Sequence, residues 1–397
     1  MPKINFFSDK INVKNKRVIV RLDLNVSMKE SVIIDDTRIK VSKPLIEDLI
    51  QKGAVIILIS HLGRPKGIKI KDLSLRPVYE YFKNHLNTNI HFFEDDINEQ
   101  TIDFSKKLNS GDILFLENIR FSKEEELDDE KFANKLSKLG EVFINEAFSC
   151  SHRKQASLNA ITKFLPSFAG PLFEKEINAL ELILKNKKKP VTCIIGGSKV
   201  STKISIIKKL LEISENLIVV GAMANNFLKY DGIHVGASLV EDGMENQIEE
   251  ILNYAKKKNC KIIKPIDFDT SLNMNGNATY KSVDAIGSKD IILDIGKKTV
   301  ELISNVINNS NTVFWNGPAG YFENKNFIKG SLEIAKKIAE NTKSKDLISI
   351  VGGGDTIASL KNTKLQNSFT HLSTAGGAFL ESLEGKELPG VKVLRRN

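Results

Sequence analysis

The sequence predicts an α/β protein built as two lobes, each a parallel sheet wrapped by helices. Short β-rich runs alternate with longer amphipathic stretches from one end of the chain to the other. Such alternation implies strands joined by helical crossovers. Several of the runs are apolar along nearly their whole length, as parallel strands covered on both faces are. At 397 residues the chain is also long for a single core.

The runs of the first half are RVIVRLDLN (17–25), AVIILISH (54–61), DILFLEN (112–118) and EVFINEAF (141–148). Those of the second half are VTCIIGG (191–197), NLIVVGA (216–222), CKIIKPID (260–267), NTVFWNG (311–317) and DLISIVGGG (346–354). Between them, SKPLIEDLIQKG (42–53) and STKISIIKKLLEISE (201–215) carry apolar residues at helical spacing. Near mid-chain, Phe173 to Lys189 reads as one charged helix ended by Pro190, suited to join two lobes. The expected organisation is therefore an N-terminal lobe over 1–167, a connecting helix over 168–189, a second lobe over 190–372 and a tail over 373–397.

Composition excludes several classes. With 41% hydrophobic and 27% charged residues, the chain has the make-up of an ordinary globular protein. No apolar run approaches the roughly 20 residues that span a bilayer, and the polar N-terminus does not resemble a secretory signal, so a cytoplasmic location and no membrane partner are expected. The three cysteines, Cys150, Cys193 and Cys260, fit no zinc spacing and suit a reducing compartment. The formal charge of +9 favours anionic ligands, but only 7% of residues are aromatic and no nucleic-acid-binding module is present.

In open parallel sheets, ligands bind beyond the carboxyl ends of the strands. Read at those ends, the two halves differ. First-half runs lead into Asp23 and Asn25, then His61 and Arg64, then Arg120, then His152 and Arg153. Guanidinium groups give paired donors for phosphate and carboxylate oxygens, and Asp23 and Asn25, alternating along one strand, would share a face for hydroxyl groups. Second-half runs lead into Gly196-Gly197 with Lys199 and Lys203, Gly221, Asn316-Gly317-Pro318 and Gly352-Gly353-Gly354-Asp355. Glycine loops let backbone N–H groups approach phosphates, and the helix that follows adds its positive end. Lys199 and Lys203 are spaced by one helical turn, so both ammonium groups are expected on one side. Asp355 is placed to meet a magnesium ion bridging phosphates.

Known phosphate scaffolds are missing. There is no GxxxxGK[ST] loop, no GxGxxG after a strand, and no HRD or DFG signature. The absent GxGxxG argues against a nucleotide-cofactor oxidoreductase, and a nucleic-acid binder would leave GGGDT without a role.

The motifs, in order along nearly the whole chain, resemble those of the phosphoglycerate kinase family. RLDLNV (21–26) is similar to the family's RVDFNV, ISHLGRPKG (59–67) to SHLGRP, LENIRF (116–121) to LENxRF and NEAFSCSHR (145–153) to NDAFGTAHR. GGSKVSTKI (196–204) resembles GGAKVSDKI, and VFWNGPAGYFE (313–323) resembles VWNGPMGVFE. GGGDT (352–356) is the family's own loop, and HLSTAGGAFLESLEGKELPGV (371–391) tracks its last motif. The resemblance implies two Rossmann-like lobes with a cleft between them, joined by a hinge helix, and a C-terminal tail that returns to the first lobe. It implies reversible, magnesium-dependent phosphoryl transfer between 1,3-bisphosphoglycerate and ADP, giving 3-phosphoglycerate and ATP, in a cytoplasmic monomer that closes by hinge bending.

Carried over by motif, Asp23, Asn25, Arg38, His61, Arg64, Arg120 and Arg153 would hold the glycerate, with Arg38 near the transferring phosphoryl. Gly197, Lys199, Lys203, Glu323, Gly353, Gly354, Asp355 and Thr356 would hold the nucleotide, with Glu323 on the ribose and Asp355 on magnesium. Arg38, Lys199 and Lys203 would be catalytic. Several residues depart from the family pattern: Glu146 for Asp, Ser149-Cys150 for Gly-Thr, Thr202 for Asp, Val220 and Ala222 for glycines, and Ala375 for glycine. Thr202 removes a carboxylate partner for the lysines, and Val220 with Ala222 is expected to narrow the approach to the adenosine.

Overall fold

The structure is a computed structural model that describes residues 3–395. The chain divides into two compact units: the first runs to Ile177 and resumes at Glu387, and the second is Asn178–Lys386. Each contains its own six-stranded sheet.

Across the first sheet the strands are Ile90–Phe93, Ile113–Leu116, Val55–Ile59, Arg17–Arg21, Val142–Asn145 and Ser167–Ala169, all parallel. Successive residues feed opposite cores. Val18 and Val20 pack with Ile56, Leu58, Phe115 and Ile144 on one face, whereas Ile19 packs with Ile57, Leu114 and Phe143 on the other. Both faces are dry, which is why these strands read as continuous apolar runs. Each such side chain contributes about 1.5–3 kcal/mol by leaving water.

The second sheet runs Lys261–Ile263, Asn216–Val219, Val191–Ile195, Thr312–Asn316, Ile348–Gly352 and His371–Ser373, again all parallel. Chain direction across the sheet reverses between Val191–Ile195 and Thr312–Asn316, and in the first sheet between Arg17–Arg21 and Val142–Asn145. Crevices open at such reversals, beyond the carboxyl ends of the strands.

Every run read as a strand is one, trimmed at its ends. Three strands of these two sheets were not anticipated: Ile90–Phe93, Ser167–Ala169 and His371–Ser373 are short and lie at the ends of the strand order, where the apolar signal is weak. The small antiparallel sheet of Asp267–Ser271, Thr279–Ser282 and Ile291–Ile295 was missed too, because DFDTS and TYKS carry little apolar pattern.

Two helices differ from expectation in ways that matter later. The run expected from residue 42 begins at Thr37, with Pro44 inside it and not near its start, so Arg38 falls in its first turn. The mid-chain helix is Pro171–Leu184 and stops before the lysine run. Proline suits its first position, where the missing N–H is no loss. The unit boundary falls inside this helix, between Ile177 and Asn178. The helix Gly377–Leu383 stays with the second unit, and the chain rejoins the first from Glu387, not from residue 373. There Gly390 N donates to Ser151 O at 2.9 Å, and Asn5 N donates to Leu394 O at 2.8 Å.

Glu146 caps the mid-chain helix: Leu172 N donates to both of its carboxylate oxygens at 3.0 Å. Burial pushes this carboxyl up to about 7, against the Leu172 and Phe173 N–H groups that pull it down. A carboxyl whose folded pKa lies above its unfolded value holds its proton more tightly in the folded state. Its contribution is present below about pH 4.5 and is lost as pH rises through about 7. The stability of wild type relative to Glu146→Gln is therefore expected to fall by about 2–3 kcal/mol across that window. Urea unfolding at a series of pH values measures it, and a pH-independent difference would contradict it.

All three cysteines are free and buried. Among the described residues no helix is long and apolar enough to cross a membrane.

Candidate active site: a cationic cluster and a glycine-loop cavity

In the first unit, the strand Arg17–Arg21 ends before Asp23, so Asp23 and Asn25 lie on an irregular turn and do not share a strand face. Asn25 N donates to Asp23 Oδ1 at 3.1 Å, closing that turn. Their side chains then diverge. Asp23 Oδ2 accepts from Arg38 and from the Ser149 hydroxyl, whereas Asn25 Oδ1 accepts from Gly63 N at 2.8 Å. Burial would raise the Asp23 carboxyl, but the charge of Arg38 and the Ser149 and Asn25 hydrogen bonds outweigh it, holding Asp23 well below the usual carboxylate range. Ser149, one of the departures from the family pattern, thus supplies a donor that a glycine lacks.

His61 is 4% exposed and sits beside Asp23 and Cys150. Burial, then the Arg21 charge, pushes its imidazole well below its ordinary value, so it is neutral at pH 7. Cys150 is buried, and burial raises its thiol, which argues against a nucleophile. Arg120 is 2% exposed. Its Nη1 donates to Gly63 O at 2.8 Å, while its buried Nε and Nη2 have no hydrogen-bond partner among the described residues. Burial and nearby Arg21 push Arg120 down to about 10, still cationic at neutral pH. Glu126 Oε1 stays 3.9 Å from Nε, an ion pair too long for a hydrogen bond. Buried donors without hydrogen-bond acceptors are rare, and two on one guanidinium point to an anion arriving from outside the chain. Arg64 is exposed next to Gly63, and Arg153, half-buried, donates from Nε to His152 Nε2 at 3.2 Å. The structure therefore gathers Asp23, Asn25, Arg38, His61 and Arg120, with Arg64 and Arg153 at the margin.

In the second unit, the ends of Val191–Ile195 and Thr312–Asn316 approach so closely that side chains are excluded. A Cβ on Gly196 would lie 2.4 Å from Pro318 O, and Gly317 has a φ of +101°. Thr356 Oγ accepts from Gly317 N at 2.7 Å, tying the GGGDT turn to this crossing. Gly353, with a φ of +98°, would place a Cβ 2.8 Å from Asn316 Nδ2. Gly353→Ala is expected to cost about 1–3 kcal/mol, read as a lower urea midpoint; an unchanged midpoint would contradict this reading of the turn.

Lys203 Nζ reaches back to Gly196 O at 2.5 Å and Asn316 Oδ1 at 3.3 Å. Burial lowers its pKa, with Asp355 pulling the other way. Lys199 does not lie one turn behind it on a helix. Residues Ser201–Lys203 form a tight turn and the helix starts at Ile204, so Lys199 precedes both and is exposed. The carboxylate that Thr202 was expected to remove is supplied by Glu241, which accepts from Ser201 N at 3.0 Å and from its hydroxyl, close to Lys199.

A cavity of about 360 Å³ opens beside this crossing. Gly197, Gly221, Ala222, Phe268, Leu293, Pro318, Glu323 and Asp355 are in its wall. Val220 does not narrow it: that side chain is fully buried in the core with Ile194, Ile218 and Trp315. Apolar walls with exposed Glu323 and Asp355 at the rim suit a flat ring attached to a polar, charged group. Asp355 offers a hard carboxylate, and a Cβ on the adjacent Gly354 would meet nothing within 4 Å, so there is room for a divalent cation.

Sequence reading missed Arg21, fully buried behind His61, and the part of Ser149 in holding Asp23; Asn316, read at a strand end, holds Lys203. The signal for Arg21 was present: a lone charge between VIV and L in an otherwise apolar strand.

The family model described as phosphoglycerate kinase matches residues 8–386. The chain is 44% identical over 389 residues to the phosphoglycerate kinase of Bradyrhizobium diazoefficiens, covering 98% of each. It is 41% identical over 387 residues to that of Wolbachia pipientis wMel, covering 97% of each. Among solved structures it resembles phosphoglycerate kinase from Coxiella burnetii, with a TM-score of 0.86 at 37% identity and 98% of each chain covered. It also resembles the enzyme from Pyrococcus horikoshii, with a TM-score of 0.83 at 31% identity and the same coverage.

Proposed function

The chain belongs to the phosphoglycerate kinase family and catalyses reversible phosphoryl transfer between 1,3-bisphosphoglycerate and ADP, and from that premise we propose which of its residues do the work. Asp23, Asn25, Arg38, His61, Arg64, Arg120 and Arg153 bind the glycerate. Gly197, Lys199, Lys203, Glu323 and Gly353 to Thr356 bind the nucleotide, its base in the cavity and its ribose at Glu323. The observation that carries the glycerate assignment is the buried Arg120 guanidinium, whose Nε and Nη2 have no hydrogen-bond partner among the described residues.

The chemistry asks little of these residues beyond charge and position. In the ATP-forming direction the nucleophile is an anionic phosphate oxygen of ADP and the leaving group is a carboxylate. No hydroxyl proton has to be removed, so no general base is needed. Arg38 and Lys203 neutralise charge on the equatorial oxygens of the moving phosphoryl. Lys199, freer and more exposed, meets the outer phosphates. Magnesium, held at Asp355, supplies neutralisation of the nucleotide phosphates when bound. Because the glycerate and nucleotide residues belong to different units, turnover requires the units to bring their ligands together, which also excludes water from the acyl phosphate. The same reading makes the enzyme a cytoplasmic monomer, in keeping with three reduced, buried cysteines.

Titration of the protein with 3-phosphoglycerate alone tests the glycerate assignment apart from turnover. Arg120→Met is expected to raise its Kd by about tenfold or more, the scale of one lost charge-assisted hydrogen bond. An unchanged Kd would remove Arg120 from the site.

A further inference from the structure

We infer that Arg21 is a positioning residue for the glycerate site: it fixes His61 as the neutral tautomer protonated on Nε2, leaving that N–H as the group His61 offers to a glycerate oxygen. The placement of His61 against the glycerate rests on the function proposed above; the tautomer does not.

Arg21 is the last residue of its strand and is fully buried. Its Nε donates to Ser157 Oγ at 2.8 Å and its Nη1 to Leu22 O at 2.5 Å. Its Nη2 lies 3.4 Å from His61 Nδ1. A guanidinium has donors and no acceptor, so Nδ1 must be the acceptor and the ring proton must sit on Nε2. A second proton on Nδ1 would set N–H against N–H and place two cations in contact. The guanidinium is held in turn. Ser157 Oγ donates to Glu125 Oε1 at 2.6 Å and Ser157 N to Oε2 at 2.9 Å, and both residues are fully buried. Glu125 thus balances the Arg21 charge through one hydroxyl.

The other groups facing His61 agree. They are Asp23 just beyond the same strand, Arg38 in the first turn of the helix Thr37–Gln51, Arg120 in the turn after Ile113–Leu116, and the Cys150 thiol, 3.9 Å from both ring nitrogens. One carboxylate against three guanidinium groups does not favour an imidazolium. The same donor argues against reading Asp23, His61 and Cys150 as a cation site, although their ligand atoms lie within 4.8 Å of one another. Nδ1 faces a cation and Nε2 carries the proton, so neither nitrogen has a lone pair free for a metal.

Long-range proton–nitrogen correlation spectra of the full chain, labelled on histidine nitrogen and assigned with His61→Gln, read the tautomer directly. The expected pattern is Nε2–H, unchanged between about pH 6 and 8, with the Nε2 signal moving when 3-phosphoglycerate is added. In Arg21→Met the His61 titration is expected to rise by at least about one pH unit, with Arg21→Lys restoring most of the wild-type behaviour. A proton on Nδ1, or a doubly protonated ring at pH 7, would overturn the inference from the wild-type spectrum alone, whether or not the variants fold. An Nε2–H ring indifferent to 3-phosphoglycerate would leave Arg21 in control of the tautomer and overturn the place of His61 in the glycerate site.

Discussion

Lys203→Ala is expected to lower kcat by about 10²–10³, or roughly 2.7–4 kcal/mol of barrier, the loss that follows removal of one preorganised donor to developing negative charge. Its ammonium is anchored by Gly196 O and Asn316 Oδ1 at the ends of two neighbouring strands, so it is held in place before the ligand arrives. Its surroundings are partly dry, which strengthens its interaction with phosphate oxygens. Among the described residues Lys203 makes no other hydrogen bond through its side chain, and water can replace the ammonium at both oxygens once it is gone. The fold should therefore survive, and unchanged far-UV circular dichroism would establish that. A coupled assay with 3-phosphoglycerate, ATP and magnesium gives kcat; a value within about threefold of wild type would remove Lys203 from the chemical step.

Arg38→Ala should produce a loss of kcat on the same scale, but with a second consequence. Arg38 is ion-paired with Asp23, whose carboxylate is largely buried and held ionised. Removing the guanidinium subtracts a positive charge from the site and also leaves a negative one facing an anionic ligand. The KM for 3-phosphoglycerate is therefore expected to rise together with the fall in kcat. Adding Asp23→Asn to Arg38→Ala should recover much of the KM and little of the kcat. If the double variant recovers kcat as well, the role of Arg38 was to neutralise Asp23 and not to meet the transferring phosphoryl.

Much of this architecture is legible in the sequence because parallel strands buried on both faces leave an unbroken apolar imprint. VIILI (55–59) and VTCII (191–195) are examples, each buried at every position. Edge strands such as His371–Ser373 leave no such imprint, since half their environment is water or loop. Site residues were readable where a charge or a glycine follows such a run. What stayed hidden was the second layer. Nothing in SLN (157–159) announces that Ser157 links a buried glutamate to a buried arginine, because that contact depends on chain segments far apart in sequence. The spacing of Lys199 and Lys203 misled for a related reason: it gives one helical turn only if a helix is already running, and here it starts at Ile204.

The return of the chain from Glu387 to the first unit bears on the order in which the protein is made. Asn178–Lys386 is one continuous stretch and has all its partners as soon as it leaves the ribosome. The earlier unit must wait for its final residues, because Gly390 and Leu394 hydrogen-bond to Ser151 and Asn5. Usually the N-terminal domain matures first during synthesis. Here the half synthesised first is the half completed last, so a chain stalled before Glu387 would carry a finished second unit and an unsealed first one.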